Sequence, residues 1–313
     1  MGTRALTPAG SFRLQLLKLQ GQQLSLEGLL KSFVGLSRSE AAAKLRDLHA
    51  LPPRFLYKFH GVAHPSVKDY LLKSQLFLSD PDSFNDPFDM QADVVFSGPP
   101  KGRAAHGFKV ARERGMKFRK ALDLRDRVMR KPPDLQAAFD QLRREFGVSC
   151  FITSRIGEAH PARNPLMWAH YGDKHQGLCF QFHAPSAAEV LAMALEVHYV
   201  DEYLTIDWID RERAQYEIVE ALRRKSKEWI YENERRIILR DRPKTHLPFA
   251  PGGLSGVILG MRAEANVAAV VDLMRQRRGL GLPRVRVFRA VRRKGEYRLE
   301  VRRATDIENA IKA

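Results

Sequence analysis

The strand-like segments of this 313-residue chain are short, and helical segments separate them in an irregular order. Such a mixture favours an α/β or α+β architecture. We predict an α+β fold with a mixed, mostly antiparallel central sheet flanked by helices. Strands are predicted from runs of apolar, aromatic and β-branched residues, and these are RFLYKF (54–59), LFLS (76–79), SCFITS (149–154), LCFQFH (178–183), IYENERRIIL (230–239), LSGVILG (254–260) and RVRVFRAV (284–291).

Three segments define the predicted domain organisation. Leucine-rich stripes alternate with polar residues before Pro52 and Pro53, where proline cannot continue a helix. Residues 1–52 are therefore predicted to form a helical N-terminal extension, and residues 53–313 a single α+β domain. Within that domain, the polar segment 103–146 has a helical pattern and is predicted to be a basic helical insertion.

Positive charge is concentrated in two regions of a chain whose formal net charge is +17. Residues 101–131 hold 12 basic and 3 acidic residues, and residues 273–303 hold 12 basic and 2 acidic residues. Regional positive charge favours phosphate-rich partners through counterion release. These regions therefore predict nucleic-acid contact, and the alternative is two solvated, arginine-rich surfaces.

The sequence favours a cytoplasmic location without a membrane partner. No apolar stretch reaches the roughly 18 residues of a membrane span, and the amino-terminal residues lack the apolar core of a secretory signal. The two cysteines, Cys150 and Cys179, cannot form a disulfide framework and lie in apolar runs. We expect both to be small buried thiols.

The segment SFNDPFD, residues 83–89, has the composition of a rigid turn. Asn85 and Asp86 precede Pro87, and such side chains bond nearby backbone amides while the proline fixes a backbone dihedral. The same rigidity would suit a ligand-binding loop. Both interpretations remain open at this point.

An aromatic and imidazole cluster follows in NPLMWAHYGDKHQG, residues 164–177. Trp168, His170, Tyr171 and His175 lie within eight residues between two predicted strands. The two histidines are five residues apart, which does not place them on one helical face, and no metal is expected. The cluster either packs in the core or forms a pocket in which a flat ring such as nicotinamide stacks.

Acidic and basic residues alternate in WIYENERRII, residues 229–238. In a strand, Glu232, Glu234 and Arg236 would share one face. Tyr231, Asn233 and Arg235 would share the opposite face. The segment is either a solvated edge strand with an ion pair or a site whose carboxylate stabilises a developing cation.

In order along the chain, these motifs resemble the bacterial family called domain of unknown function 2971. The resemblance spans roughly residues 55–290. The chain departs from the family pattern at CFITSR, where the family strand usually runs straight from phenylalanine to serine, whereas two residues separate Phe151 from Ser154 here. The matching residues are Leu56-Tyr57-Lys58-Phe59, Phe84 to Asp89, Cys150-Phe151, Met167 to Tyr171 with Gly177, Trp229 with Glu232, Glu234 and Arg236, and Val257 to Gly260.

A more distant similarity is to ADP-ribosyltransferases, which use NAD as a substrate. This similarity implies catalytic roles for Tyr57, His170, Glu232 and Glu234, with Glu234 holding a ribose hydroxyl. It further implies that NAD is contacted by Asn85, Asp86, Ser154, Trp168, Tyr171 and Arg236. Asn85 and Asp86 belong to the SFNDPFD loop, which would form a polar lip beside the pocket.

Two functions are therefore expected as alternatives. The first is an NAD-consuming ADP-ribosyltransferase or NAD glycohydrolase of toxin or phage-defence type, with an antitoxin or immunity protein as a partner and nucleic acid as an acceptor. The second is a non-catalytic nucleic-acid-binding protein that uses residues 101–131 and 273–303. A phosphoester hydrolase using His170 is less well supported than either of these functions, because no nucleophile motif or metal cluster supports it.

Overall fold

The computed structural model describes residues 55–130, 134–153, 160–184, 188–191, 193–209 and 211–312. The predicted N-terminal extension, residues 1–52, lies outside these residues. The strands are β1 (Phe55–His60), β2 (Gln75–Leu78), β3 (Ala92–Val95), β4 (Phe146–Ile152), β5 (Leu178–His183), β6 (Leu195–Glu196), β7 (His198–Val200), β8 (Leu204–Asp207), β9 (Arg224–Ser226), β10 (Glu234–Arg240), β11 (Thr245–Pro248), β12 (Leu254–Leu259), β13 (Arg286–Arg292) and β14 (Leu299–Arg303).

Helices separate these strands. They are α1 (Pro65–Lys68), α2 (Pro100–Glu113), α3 (Phe118–Arg130), α4 (Leu135–Arg143), α5 (Pro165–His170), α6 (Ala188–Leu191), α7 (Arg211–Leu222), α8 (Val267–Gly279) and α9 (Thr305–Lys312). Within the described ranges, no helix is both long and apolar enough to cross a membrane.

The chain divides into two compact units. The first contains the described residues of Met1–Asp80, Gly147–Val197 and Glu228–Ala313, and the second contains those of Pro81–Phe146 and His198–Lys227. The predicted helical segment 103–146 contains most of α2 and all of α3 and α4, and α2 and α3 are separated by a turn at Gly115, whose φ is 77°. The extent of the single domain predicted for residues 53–313 stays a prediction.

An eight-stranded sheet organises the first unit, in the order β14-β13-β12-β5-β1-β4-β10-β6. Antiparallel pairing joins β1 to β4 and β5, β5 to β12, β13 to β14, and β10 to β6, while β12 and β13 are parallel. The parallel pair is connected through α8, as such pairs require a crossover. The predicted α+β fold with a mixed, mostly antiparallel sheet is confirmed.

The two faces of this sheet are covered by different cores. Because side chains alternate along a strand, Leu56 lies in one core cluster with residues of α8 and α9, such as Val270 and Ile307. Tyr57 lies in the other cluster with Trp168 of α5. We call these surfaces the Leu56 face and the Tyr57 face of the sheet.

The second unit is built from helices and two small parallel sheets, β3 with β8 and β7 with β9. The side chain of Asp134 caps α4 by accepting a hydrogen bond from the backbone N–H of Ala137 at 2.9 Å. Phe139 of α4 is completely buried. This unit therefore has apolar burial of its own.

The turn after α5 packs against the sheet of the first unit at two glycines, Gly177 and Gly260, where backbone segments approach each other closely. A Cβ atom at Gly260 would lie 2.1 Å from the carbonyl oxygen of His175, and one at Gly177 would lie 2.3 Å from that of His60. Backbone N–H groups donate from Gly260 to Gly177 at 2.9 Å and from Arg262 to His175 at 3.0 Å. Glycine at these positions lets the turn pack directly on the sheet.

Replacement of Gly260 by alanine should destabilise the protein, because the obstructing atom belongs to backbone rather than to a flexible side chain. We expect Gly260→Ala to lower the free energy of unfolding by about 3 kcal/mol. Gly252→Ala is the matched control, because its Cβ would have no neighbour within 4 Å. Urea denaturation of both variants checks this, and equal stability of the two would contradict the assigned packing role.

Candidate active site

The central strand β1 places Tyr57 in the middle of the sheet. Tyr57 is opposite Gln181 of β5 on one side and Ile152 of β4 on the other. Its hydroxyl oxygen accepts a hydrogen bond from Gln181 Nε2 at 3.2 Å. Burial raises the pKa of Tyr57 to about 12, so its phenol remains protonated at neutral pH. Tyr57 therefore presents a neutral hydroxyl on this face.

His160 is an unforeseen neighbour of Tyr57. The two rings meet edge-on with centroids 4.6 Å apart. His160 Nδ1 accepts a hydrogen bond from the backbone N–H of Ala162 at 3.1 Å, which places the proton of the neutral ring on Nε2. Burial, with a contribution from Arg163, lowers the pKa of His160 to about 4. Its one sequence signal is its position before Pro161, where a histidine can cap a helical turn.

Trp168 has a packing role. Asn164 caps α5 by accepting a hydrogen bond from the backbone N–H of Leu166, and Pro165 occupies the first turn. The helix directs Trp168 into the core, where it is 0% exposed and donates from Nε1 to the carbonyl oxygen of Ala162 at 2.9 Å. A ring with no exposed face cannot stack on a ligand, so we remove Trp168 from the candidate site.

An aromatic cluster lies where α5 ends. It consists of His170, Tyr171, Trp229 and Tyr231, whose neighbouring ring centroids are 5.9–6.5 Å apart. His170 is exposed, while the other three are partly buried. His175 lies apart from this cluster and stacks on Trp168. The predicted grouping of imidazole and aromatic rings is thus observed without His175, and part of its surface faces solvent.

The strand predicted through Glu232 begins later than expected. Lys227–Glu232 is a 3₁₀ helix, Asn233 has a φ of 47°, and β10 starts at Glu234. The prediction that Tyr231 faces away from Glu234 is therefore wrong, because period-two alternation does not hold in a 3₁₀ helix. Tyr231 instead packs against the same core cluster as Tyr57.

Glu232 connects the aromatic cluster to the interior. Its side chain is almost completely buried, and its Oε1 accepts a hydrogen bond from the hydroxyl of Tyr171 at 2.6 Å. That distance is typical of a hydroxyl bonded to a carboxylate. Tyr171 is partly exposed, so this pair joins a buried acid to a surface aromatic group.

Glu234 and Arg236 form a buried ion pair on the Tyr57 face. Arg236 Nε and Nη2 donate to the two carboxylate oxygens of Glu234 at 2.7 and 3.0 Å, and Arg236 is 0% exposed. Cys150 of β4 lies beside them, and burial together with the nearby Glu234 raises the pKa of its thiol. Tyr57 and Glu234 are thus two strands apart, or about 10 Å in the hydrogen-bonding direction.

Lys58 is a partly buried cation that the site prediction omitted. It lies on the Leu56 face, where its Nζ donates to Ser149 Oγ at 3.0 Å and to the carbonyl oxygen of Cys150 at 2.6 Å. The amine also lies 4.6 Å from the centroid of the Phe151 ring. Burial lowers the pKa of Lys58 to about 8. The sequence signal that could have identified Lys58 is a lysine placed between aromatic residues in a predicted core strand.

Three predicted site residues do not belong to the described part of the first unit. Asn85 and Asp86 belong to the second unit, where the predicted turn is confirmed because Asp86 Oδ1 accepts a hydrogen bond from the backbone N–H of Phe88 at 2.9 Å. Ser154 lies outside the described residues. In the part of the chain that the structure describes, no group of three or more His, Cys, Asp or Glu side chains could hold a metal ion.

Lys58 should make stability depend on pH in a defined window. The folded protein releases the Lys58 proton near pH 8, whereas the unfolded chain keeps it until about pH 10.4. Because the unfolded state binds more protons in between, this contribution to stability should increase by about 2 kcal/mol from pH 8 to pH 10. Urea denaturation of the wild type and Lys58→Met across this range measures it.

The difference between the two proteins isolates Lys58, since other titrating groups are common to both. Lys294→Met, at an exposed position, serves as the matched control and should follow the wild type. Parallel curves for the wild type and Lys58→Met would show that Lys58 has an ordinary pKa.

The comparison with known families gives a match over part of the chain. Residues 167–237 match the family model described as Protein of unknown function (DUF2971). The matched segment contains most of α5, the Tyr171–Glu232 hydrogen bond and the Glu234–Arg236 ion pair. Neither the curated proteins nor the solved structures give a match to this chain. The family resemblance inferred from the sequence motifs is thereby confirmed over residues 167–237.

Proposed function

We propose that the Tyr57 face carries an NAD-cleaving site, and that the protein is an ADP-ribosyltransferase or NAD glycohydrolase. The observation that carries the proposal is the hydrogen bond of Tyr171 to the buried Glu232, at the edge of a partly exposed aromatic cluster. Flat rings stack favourably on such clusters, and a nearby carboxylate favours positive charge. Nicotinamide is a flat ring whose departure leaves a cationic sugar.

The reaction is a substitution at the ribose carbon bonded to nicotinamide. That carbon–nitrogen bond breaks with both electrons going to nicotinamide, and the ribose passes through an oxocarbenium-like transition state. Water or an acceptor nucleophile then bonds to the same carbon and loses a proton. With water, NAD⁺ and H₂O give ADP-ribose, nicotinamide and H⁺.

Glu232 is the carboxylate that we place next to the reacting sugar. Glu232 is linked through the hydroxyl of Tyr171 to side chains that are partly exposed. Negative charge at Glu232 would stabilise the oxocarbenium-like transition state more than the ground state. Glu234 and Arg236 are then positioning residues, which hold the start of β10 beside Glu232.

Tyr57 and His160 form the neutral floor of this site. The hydroxyl of Tyr57 accepts from Gln181 and keeps its own proton for donation, while His160 is uncharged at neutral pH. The uncharged imidazole of His160, which is only partly buried, suits a ribose hydroxyl, and Tyr57, which is 2% exposed, contacts that imidazole edge-on. The acceptor, a cytoplasmic location, the toxin or phage-defence role and an antitoxin or immunity partner are further parts of the proposal.

NAD⁺ turnover tests the proposal directly. We expect the purified protein to release nicotinamide, and Glu232→Gln to slow release about 100-fold, because it removes the charge with little change in shape. Tyr171→Phe should slow release about tenfold. The measurement is chromatography of nicotinamide with labelled NAD⁺, in reactions with water alone and with RNA, DNA or protein added.

Tyr297→Phe is the matched control for Tyr171→Phe, because Tyr297 is 99% exposed. Glu234→Gln should unfold more easily, since it removes a negative charge that pairs with the buried Arg236, at a cost of about 3–5 kcal/mol. Circular dichroism separates that loss of folding from loss of catalysis. Intact NAD⁺ with every acceptor, or full activity of a folded Glu232→Gln, would rule out the proposed site.

A second candidate function is nucleic-acid binding by the second unit. Arg114, Lys117, Arg119 and Lys120 are exposed around the turn between α2 and α3, and no carboxylate of the described residues lies within salt-bridge distance of them. Phe118 beside them is 59% exposed. Exposed cations next to an exposed aromatic ring suit a phosphate backbone with unstacked bases.

The other basic region is less suited to this role, because many of its cations are paired. Carboxylates bind Arg289, Arg293 and Arg302 at 3.2, 3.1 and 2.8 Å. Opposite charges at these distances reduce the net field available to a phosphate backbone. We therefore place the candidate nucleic-acid surface on α2 and α3 rather than on β13 and β14.

Two triple variants with equal charge changes test this surface. Binding of single-stranded RNA should weaken for the variant on α2 and α3, and the slope of log K against log salt should fall by about 0.7 for each lost phosphate contact. Equal effects of the two variants, or binding that ignores salt, would exclude the surface. The test variant is Arg114→Gln, Lys117→Gln, Arg119→Gln, and the control is Arg289→Gln, Arg293→Gln, Arg302→Gln.

A further inference from the structure

A separate cavity of about 300 Å³ lies in the first unit, between the carboxyl-terminal parts of α8 and α9 and the loop that leads into β13. One part of its wall is apolar and is formed by Met274, Leu282, Val285 and Ile311. The volume is at the small end of the range for ligand pockets. The cavity would therefore hold a small molecule with an apolar body.

Arg277 forms the charged and rigid part of the wall. It is almost completely buried, and its Nε, Nη1 and Nη2 donate to the carbonyl oxygens of Pro283, Leu71 and Pro251 at 2.9, 2.7 and 3.0 Å. These partners are neutral, so they orient the guanidinium without cancelling its charge. Burial lowers the pKa of Arg277, but a guanidinium stays charged at neutral pH.

Further cations line the same cavity. Arg278 donates from Nη1 to the carbonyl oxygen of Lys312 at 2.8 Å, and Lys312 itself also lines the cavity. Among the described residues, no carboxylate forms a salt bridge with Arg277, Arg278 or Lys312. The cavity thus has three cationic side chains whose charge no described carboxylate balances.

The acidic group in the lining is already shared by two arginines. Glu308 accepts from Arg284 at 3.0 Å and from Arg303 at 2.9 Å. These arginines, with the backbone N–H of Val287 among the contributors, lower the pKa of Glu308, which therefore remains ionised at neutral pH. Its charge is compensated by these two arginines, so the lining keeps its excess of positive charge.

We propose that this cavity binds a phosphate monoester with a small apolar group. A phosphate dianion matches the excess positive charge, and arginine donors bind phosphate oxygens through charge-assisted hydrogen bonds. The apolar wall contacts the organic part of the ligand. This site is distinct from the Tyr57 face and does not depend on the proposed NAD chemistry.

Calorimetric titration of the full-length protein with phenyl phosphate tests the cavity. We expect saturable binding that weakens about tenfold in Arg278→Gln, because one charge-assisted hydrogen bond is lost. Arg275→Gln is the matched control: Arg275 lies on the same helix and donates to the carbonyl oxygen of Ala310 at 2.7 Å, but does not line the cavity. It should bind within twofold of the wild type.

Leu282→Trp, which fills the cavity, should abolish binding. Lys312→Gln removes a second positive charge from the lining, after that removed in Arg278→Gln. Benzyl alcohol and inorganic phosphate should each bind more weakly than phenyl phosphate, because each lacks half of the interactions. The proposal is overturned by absence of saturable binding, by equal affinities of Arg278→Gln and Arg275→Gln, or by unchanged binding in Leu282→Trp. Benzoate binding as tightly as phenyl phosphate would overturn the assignment to phosphate.

Discussion

The central position of β1, hydrogen-bonded between β4 and β5, is the constraint on which the first unit depends. Alternation along this strand sends Tyr57 and Lys58 to opposite faces, so each faces a different core. Tyr57 reaches the face that also carries α5 and the start of β10. Lys58 is directed into the opposite core, where Ser149 and a backbone carbonyl satisfy its amine.

Three cations in the interior of this unit are held in different ways. Arg236 is neutralised by a carboxylate on its own strand, and Lys58 is held by a hydroxyl and a carbonyl. Arg277 is held by three carbonyl oxygens. The first arrangement cancels charge, whereas the carbonyls around Arg277 only orient it. For this reason we associate ligand binding with the cavity at Arg277 and a positioning role with Arg236.

Sequence patterns predicted the central elements more accurately than the surroundings of the site. The apolar strands β1, β5 and β12 and the turn at Asp86 follow from local composition. The start of β10 does not, because Asn233 adopts a left-handed conformation and interrupts the period-two pattern. His160 was missed because its neighbour in space, Tyr57, lies about a hundred residues away in the chain.

The sequence alone determined that the chain forms an α+β fold, which residues make its central strands, and that its motifs resemble the DUF2971 family. These properties depend on local periodicity and on short patterns, which neighbouring residues specify. Only the tertiary structure decided that Trp168 is core, that Glu232 bonds to Tyr171, and that Arg277 faces a cavity. Those facts depend on strand order and burial, which bring distant segments together and which local sequence does not encode.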